Sequence, residues 1–379
     1  MLFSQYKNRS DYSFRFEVAP LSITVAILMV QFFIFKDYTP HVPLIIGICI
    51  TGIFMALKGR KWAEMEKNMY RVMKVALPTT IIILCVGMMI AASIAAGTVQ
   101  TVLKFGLDII SPSIFLPATC VLTTIVSLAT GTSWGTLGTV GLAMLGIGDA
   151  LGIPNYWTIG AICSGSFFGD KMSPLSDTTN LTPAVAGTDV WSHIKSMLPN
   201  TTVAYALTII IYALVSRHYQ GDAGEIANQT RAMFQSAITG HYKTGFITLV
   251  PALFVIAMGF RKYSVTGTLC TGIFLAVLIA IGYQGVSLSS VSDILMNGYK
   301  AQTGQEYVDK LLSKGGIMSM TWVITMMMLS LAFIGALETY GTFRAILGKL
   351  KVLIKSRFSL VATTAMIVLT VGMVAGEIY

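Results

Sequence analysis

Long apolar runs and short polar segments alternate along the whole chain of 379 residues. A bilayer core about 30 Å thick is crossed by about 20 residues of helix, and the apolar runs approach that length. They predict membrane spans near residues 19–35, 41–57, 75–98, 109–128, 137–153, 155–168, 200–216, 244–260, 264–284, 317–338 and 358–375. The runs are too long and too uniformly apolar for barrel strands, so the pattern predicts an all-α polytopic membrane protein with about 11 transmembrane helices.

Polar sequence interrupts the apolar pattern twice at membrane depth. The chain reads TGTSWGT at 130–136 and GDKMSPLSDTTNL at 169–181. Non-helical backbone is tolerated inside a membrane where it is buried in protein or lines a wet cavity, and discontinuous helices mark the binding sites of transporters. We therefore expect a transporter with discontinuous helices around 130–136 and 169–181. Its expected divisions are a two-span segment with a basic amphipathic linker (1–74), a segment with both motifs (75–217) and a C-terminal segment (244–379); the resemblance described below implies that the last two are a first repeat and a second, incomplete repeat.

The charged residues support this class and orient the chain. Only 11% of the residues are charged and 54% are hydrophobic, whereas about a quarter of a soluble globule is charged. The net charge of +9 would suggest nucleic acid in a soluble protein, but the basic residues cluster at span ends, within 7–15, 58–74, 261–262 and 344–357. The positive-inside rule places these clusters and the N-terminus in the cytoplasm. We expect a multi-pass protein of the inner or plasma membrane that contacts lipid and binds no nucleic acid.

The first interruption offers three hydroxyl groups, on Thr132, Ser133 and Thr136, beside two glycines. Glycine lets the backbone unwind, and carbonyl and hydroxyl oxygens can then replace the water shell of a hard cation such as Na⁺. Close helix packing through Gly131 and Gly135 is the competing interpretation. The same letters match the G-x-S-x-G pattern of serine hydrolases, which needs a preceding strand and a histidine within reach. All four histidines lie in or beside predicted polar segments, which disfavours a hydrolase.

The second interruption combines two carboxylates, an ammonium group and several neutral oxygen donors. Its polar residues are Asp170, Lys171, Ser173, Ser176, Asp177, Thr178, Thr179 and Asn180. Ionisable groups at membrane depth are costly and usually face a transport pathway; a solvated turn outside the membrane is the alternative. A partly desolvated carboxylate binds either a proton or a cation. We assign this exchange to Asp177, with Na⁺ held by Asp177, Ser176, Thr178 and Thr132, and Asp170 beside Lys171 as a fixed, ionised partner.

The two motifs resemble the signature of the NhaC family of sodium/proton antiporters. GTSWGT at 131–136 and GDKMSPLSDTTNL at 169–181 are followed by PAVAGTD at 183–189 and by His193-Ile194. The resemblance covers about residues 75–215 and implies a secondary transporter with two inverted repeats and Na⁺/H⁺ exchange. Members are usually longer, with a second polar break in the C-terminal half, so we expect this chain to be a C-terminally short member. The polar region of the family corresponds here to Thr132, Ser133, Thr136, Asp170, Ser173, Ser176, Asp177, Thr178, Thr179 and Asn180.

The predicted function is secondary active transport that exchanges Na⁺ for H⁺ by alternating access. No cofactor is expected, Na⁺ and H⁺ are the transported ions, and a homo-oligomer is left open. The alternatives are exchange of organic acids such as malate and lactate, ion-coupled efflux of a drug such as tetracycline, and a passive channel. All nine arginines fall in predicted loops or termini, which favours a cation over an anion as cargo. Glu338 is a candidate second coupling carboxylate, with an interfacial position as its alternative.

Overall fold

The coordinates come from a computed structural model of the protein. It describes residues 13–109, 111–130, 133–173, 176, 179, 183, 188–219, 232, 235–261, 263–353, 356 and 358–366. Every regular element within these ranges is a helix, as expected where a backbone in hydrocarbon must satisfy its own hydrogen bonds. The prediction of an all-α polytopic membrane protein is confirmed.

The helices follow the apolar runs and several of the amphipathic segments between them. The first are α1 (Phe14–Phe33), α2 (His41–Leu57), α3 (Trp62–Met73), α4 (Leu77–Ala95), α5 (Thr98–Ile109) and α6 (Pro112–Thr130). Then come α7 (Ser133–Thr136), a π-helical turn (Leu137–Gly141), α8 (Leu142–Ala150), α9 (Asn155–Met172), α10 (Val190–His218) and α11 (Gln235–His241). The last are α12 (Phe246–Phe260), α13 (Val265–Ile279) with a second π-helical turn (Ala280–Gln284), α14 (Leu288–Asn297), α15 (Glu306–Leu312), α16 (Ile317–Tyr340), α17 (Thr342–Leu353) and α18 (358–366).

Five of the described helices are long and apolar enough to cross a bilayer. They are α1, α4, α10, the stretch Thr266–Gln284 and α16. α11 and the following Phe246–Met258 would form a sixth span if counted together, although the two are bent by 102°. These helices make the chain a multi-pass membrane protein, whereas the count of about eleven spans and the inverted repeat stay predictions.

Contacts between Cα atoms divide the chain into two compact units. The first consists of Met1–Thr80 and Trp322–Tyr379, and the second of Ile81–Thr321. The boundaries fall within α4 and α16, so both helices contribute residues to each unit. The predicted division into 1–74, 75–217 and 244–379 stays a prediction.

The first unit attaches the basic segment after α2 to the carboxyl end of α16. Lys58 Nζ donates to the Tyr340 carbonyl at 3.4 Å, and Arg60 Nη1 donates to the Thr339 carbonyl at 2.6 Å. Cations stabilise the carboxyl end of a helix because its last carbonyls carry partial negative charge. The core beneath these contacts consists of Leu44, Ile48, Met55, Met65, Ala332, Phe333, Ala336, Leu337 and Tyr340.

The second unit contains two buried apolar clusters. The larger one combines residues of α5, α6, α8 and α9 with side chains of α10, α11 and α15, and the smaller one joins α4 to α12 and α13. α6 and α9 lie against each other along much of their length. Because this pair ends at the two polar interruptions, its packing positions the candidate site.

Three departures from the predicted spans bear on that site. α9 continues to Met172, four residues beyond the predicted end at 168, so Asp170 is helical. The predicted span 75–98 ends at Ala95, and the amphipathic α5 follows as a separate helix. The predicted span 137–153 begins with the π-helical turn. Polar residues can remain helical here because neighbouring protein, rather than lipid, surrounds them.

Candidate functional site

The structure brings the two polar motifs together at the end of α9. Asp170 lies in the last turn of α9 and only 8% of its surface is exposed. Its Oδ2 accepts a hydrogen bond of 3.1 Å from Ser133 Oγ, at the first residue of α7. Ser133 is 3% exposed. A buried carboxylate requires such a donor, because an ionised group without partners is very costly in a low-dielectric interior.

A hydroxyl group of the second motif donates to backbone carbonyls at the carboxyl end of α9. Thr179 Oγ1 donates to the carbonyls of Asp170 and Lys171, both at 3.1 Å. The Ser173 amide also donates to the Asp170 carbonyl at 3.1 Å. Ser173, Ser176 and Thr179 are all buried. The chain after α9 therefore lies against the end of its own helix.

The carboxyl ends of two helices meet at this point. Ser173, directly after α9, donates through Oγ to the Leu128 carbonyl in the last turn of α6 at 2.8 Å. A helix carboxyl end carries partial negative charge, and transporters use such ends with unwound carbonyls to coordinate Na⁺ or H⁺. Together with the Asp170 carboxylate, the two helix ends form a region suited to a cation.

Two glycines of α9, whose packing role was not predicted from the sequence, permit the close approach of α6 and α9. A Cβ at Gly165 would overlap Thr123 Oγ1 and the Cys120 carbonyl, and a Cβ at Gly169 would lie 2.5 Å from the Thr124 carbonyl. The signal was present as the spacing G-x-x-x-G in an apolar helix, which allows helix backbones to approach in membranes. The glycines thereby determine how close the end of α9 that carries Asp170 lies to α6.

Two tyrosines of α10 contact this helix pair. The hydroxyls of Tyr205 and Thr124 lie 2.7 Å apart, and the Tyr205 ring stacks on Phe168 at 3.9 Å between centroids. The Tyr212 hydroxyl lies 3.0 Å from Ser164 Oγ. These contacts link α10 to both helices of the site.

The remaining predicted site residues have different positions. Thr136 is fully buried at the end of α7. Glu338 lies in the first unit, where Arg71 Nη2 lies 2.9 Å from its Oε1 and Asn68 Nδ2 donates to its Oε2 at 3.1 Å. Thr132, Asp177, Thr178 and Asn180 lie outside the described residues, so their assignments stay predictions.

Lys171 does not lie with Asp170 in the buried cluster. Its side chain is exposed, whereas Asp170 is buried. The ion pairs found among the described residues are Lys58–Glu17, Arg60–Glu64 and Arg71–Glu338, and none includes Lys171. The Asp170 carboxylate accepts from the Ser133 hydroxyl, and its role as a fixed, ionised partner beside Lys171 stays a prediction.

A second polar cluster lies in the same unit, where two helix interruptions meet. α4 ends at Ala95 before α5, and α11 ends at His241 before α12. The Gln284 side chain joins the two interruptions. Its Nε2 donates to the Ala96 carbonyl at 3.2 Å and to the Lys243 carbonyl at 2.7 Å, and its Oε1 accepts from the Lys243 amide at 3.1 Å.

Threonine hydroxyls extend this second cluster. Thr98 Oγ1 donates to the Thr248 carbonyl at 2.5 Å, and the hydroxyls of Thr101 and Thr248 lie 2.6 Å apart. The sequence analysis missed the cluster because both interruptions are short and lie beside apolar runs. The available signal was the glycine at position 97, which adopts a φ of +80° that favours glycine.

Comparison with known proteins agrees with the geometry of the site. The sequence profile of the family described as "Na+/H+ antiporter family" matches residues 165–379. The Na⁺/H⁺ antiporter NhaC of Alkalihalophilus pseudofirmus is 34% identical over 365 residues, which are 96% of this chain and 78% of that protein. The chain belongs to the Na⁺/H⁺ antiporter family. The resemblance to NhaC proteins is thereby confirmed, and the family is one of transporters rather than enzymes.

Relatives named for other cargoes match at similar identity. The arginine/ornithine antiporter ArcD of Halobacterium salinarum is 33% identical over 81% of this chain and 63% of its own length. The malate-2H⁺/Na⁺-lactate antiporter of Bacillus subtilis is 33% identical over 84% of this chain and 68% of its own length. No solved structure matches the chain. These relatives share antiport as their activity and differ in what they carry.

Proposed function

We propose that this protein exchanges Na⁺ for H⁺ across the cell membrane by alternating access. The observation that carries the proposal is the buried Asp170 carboxylate, which accepts from Ser133 where the carboxyl ends of α6 and α9 meet. Both helix ends and the carboxylate attract a cation, and the hydroxyl oxygens of the site are neutral ligands suited to a hard ion. Membership in an antiporter family supplies the exchange itself.

Asp170 is proposed to bind the cation directly. A carboxylate in a desolvated site accommodates a proton or a cation, and competition for one group couples the two flows. Asp177 keeps its assignment from the sequence as an exchanging carboxylate, with Ser176, Thr178 and Thr132 as its neighbours at the cation. Ser173 and Thr179 hold the chain at the carboxyl ends of α6 and α9, beside Asp170.

The test is a flux assay on reconstituted vesicles that contain a pH-sensitive dye. Addition of Na⁺ should release protons from vesicles with the natural protein, and Asp170→Asn should abolish this response because the amide cannot take up the coupled charge. Asp177→Asn provides the parallel variant. Loss of exchange in Asp170→Asn with normal exchange in Asp177→Asn would overturn the assignment of exchange to Asp177, and the reverse pattern would overturn direct binding at Asp170.

Organic-acid exchange is the second candidate, because a malate-2H⁺/Na⁺-lactate antiporter is nearly as similar to this chain as the Na⁺/H⁺ antiporter. The arginine/ornithine antiporter is equally similar and adds amino acids to the candidate cargoes. Vesicles that stay silent with Na⁺ and Li⁺ but respond to malate, arginine or a drug such as tetracycline would replace the cation proposal. Current without proton coupling would indicate a channel. The basic clusters favour a multi-pass orientation with a cytoplasmic N-terminus.

A further inference from the structure

α9 and the α7–α8 segment run antiparallel, as three pairs of neighbouring residues show. Ser133 contacts Asp170. Further along, a Cβ at Gly141 would lie 2.8 Å from Ile162 Cγ2, and a Cβ at Gly148 would lie 2.5 Å from Thr158 Oγ1. The contacting residues of α9 are thus 170, 162 and 158, which share one helix face. Position 166 belongs to the same face, one turn from Asp170.

This register places Ser166 opposite the π-helical turn Leu137–Gly141. Position 137, the first residue of this turn, lies midway between Ser133 and Gly141 in the sequence. Ser166 likewise lies midway between Asp170 and Ile162, four residues from each. π-helical turns widen the helix, disturb the regular i to i−4 bonding and are frequent at functional sites. The Thr136 carbonyl lies at this turn, 3.3 Å from the position of a Cβ at Gly141.

Ser166 carries a hydroxyl that no side chain or backbone group in the described part of the chain satisfies. Its side chain is fully buried, and its Oγ has no hydrogen-bond partner within the described part of the chain. Its carbonyl accepts from Ser127 Oγ at 2.5 Å, which ties this point of α9 to α6. A buried hydroxyl without a partner is costly, so its presence one turn from a buried carboxylate indicates a ligand that occupies the gap.

We propose that Ser166 Oγ is a ligand of the transported Na⁺, together with the Asp170 carboxylate and Ser133 Oγ. This assignment rests on the proposed Na⁺/H⁺ exchange and adds a residue that neither motif contains. The cation then lies between the last two turns of α9 and the start of the α7–α8 segment. The bound cation gives the Ser166 oxygen a partner that the described residues do not supply. Hydroxyl and carboxylate oxygens suit a hard ion such as Na⁺.

Ser166→Ala tests the proposal, with Ser330→Ala as the matched control. Ser330 in α16 also carries a buried Oγ without a partner among the described residues, and it belongs to the other unit. We expect Ser166→Ala to raise the KM for Na⁺ at least about tenfold, since even groups outside the first ligand shell of a metal change its affinity by that factor. The maximal rate at saturating Na⁺ should change far less, and Ser330→Ala should keep the natural KM.

Thermal melting in detergent gives a readout that does not depend on transport. A ligand that binds the folded state raises its melting temperature, so Na⁺ should stabilise the natural protein and the Ser330 variant but not Ser166→Ala. Without Na⁺, Ser166→Ala should melt at or above the natural temperature, because it loses an unsatisfied polar group. Ser166→Cys keeps a similar volume but offers a soft sulfur, so it should bind Na⁺ as poorly as the alanine variant.

The outcomes separate this proposal from the proposed function. If the natural protein shows neither Na⁺-driven proton movement nor stabilisation by Na⁺, the function is wrong whatever Ser166 does. If the natural protein shows both and Ser166→Ala keeps its KM and its stabilisation, Ser166 is not a ligand. Normal Na⁺ affinity in Ser166→Cys would assign the residue a packing role and would also overturn the proposal.

Discussion

Individual hydroxyl groups maintain the polar interior of the candidate site. Ser133 donates to the Asp170 carboxylate, while Ser173 and Thr179 donate to carbonyls at the ends of α6 and α9. A neutral donor leaves the net charge of the site negative, whereas a lysine or arginine in the same place would cancel it. At the scale of residues, the described part of the site thus combines the buried Asp170 carboxylate with neutral oxygens, which favours a monovalent cation over an anion.

The N-terminal cap of α10 makes stability depend on pH. The Asp189 carboxylate accepts from the Ser192 amide at 3.0 Å, and hydrogen bonds from the Ser192 side chain and backbone hold the pKa of Asp189 below its usual range. A carboxyl whose pKa is lowered on folding stabilises the folded state above its unfolded pKa. That contribution is lost as the pH falls through the folded pKa.

We therefore expect Asp189→Ala to melt at a lower temperature than the natural protein near about pH 7, with the difference shrinking as the pH falls below about 4, the ordinary aspartate pKa. Asp189→Asn is the control, because asparagine also caps helices but does not titrate in this range. Circular dichroism of the purified protein in detergent measures the melting. A constant difference between the alanine variant and the natural protein at all pH values would contradict the role of the charged cap.

At the scale of helices, the α6–α9 contact depends on residues without side chains. Gly165→Ala would place a Cβ against Thr123 Oγ1 and the Cys120 carbonyl. Since a helix backbone cannot yield locally, the helices must separate, and overpacking of this kind costs about 1–3 kcal/mol. We expect a lower melting temperature and weaker exchange, because the shift also moves Asp170 relative to Ser133.

Gly348→Ala is the matched control for Gly165→Ala. Gly348 lies within α17, and a Cβ there would meet no atom within 4 Å. Alanine is favoured over glycine in a helix interior by about 0.5–1 kcal/mol, so this variant should melt at or above the natural temperature. Equal melting temperatures for the two variants would show that the α6–α9 contact tolerates the added carbon.

The Gln284 side chain joins the interruptions of α4–α5 and α11–α12, which gives a second prediction for helices. Gln284→Leu keeps a similar size but removes the hydrogen bonds to Ala96 and Lys243. We expect the Lys243 amide to exchange its hydrogen faster, because local opening at the interruption becomes easier. Hydrogen exchange read by mass spectrometry over the peptide 242–248 measures this change.

Gln31→Leu controls for the loss of a glutamine amide elsewhere. Gln31 Nε2 donates to Asp37 and to the Thr39 carbonyl in the first unit. This variant should speed exchange around residues 37–39 and leave 242–248 unchanged. Unchanged exchange at Lys243 in Gln284→Leu would show that the interruption is held by the threonine contacts instead.

At the scale of the whole molecule, the distribution of basic residues predicts the orientation in the membrane. Lys61 lies in the basic segment after α2, and Ser287 follows α13 on the side with fewer basic residues. Both positions are exposed. In a background without the five natural cysteines, Lys61→Cys should react with a membrane-impermeant maleimide only in inverted vesicles, and Ser287→Cys should react in intact cells. The opposite pattern would place the N-terminus outside the cytoplasm.

The sequence by itself determined the class of the protein, most of its long helices and the two motifs of the candidate site. Hydropathy is a local property, so α2 was predicted at 41–57 and is found at His41–Leu57. The amphipathic α5 and the continuation of α9 to Met172 were not predicted, because polar side chains are stable at membrane depth when other protein covers them, and hydropathy does not show that cover. The sequence around these residues does not show which protein segments pack against them.

Only the tertiary structure decided which segments meet. The contact of Ser133 with Asp170, the approach of Gly165 to α6 and the hydrogen bond from Ser127 Oγ to the Ser166 carbonyl all join residues of different helices. The physical reason is that a lipid-facing and a protein-facing position can carry the same residue type, since lipid tails are as apolar as leucine side chains. Hydropathy therefore fixes which segments enter the membrane, while small residues and paired polar groups fix how those segments pack against one another.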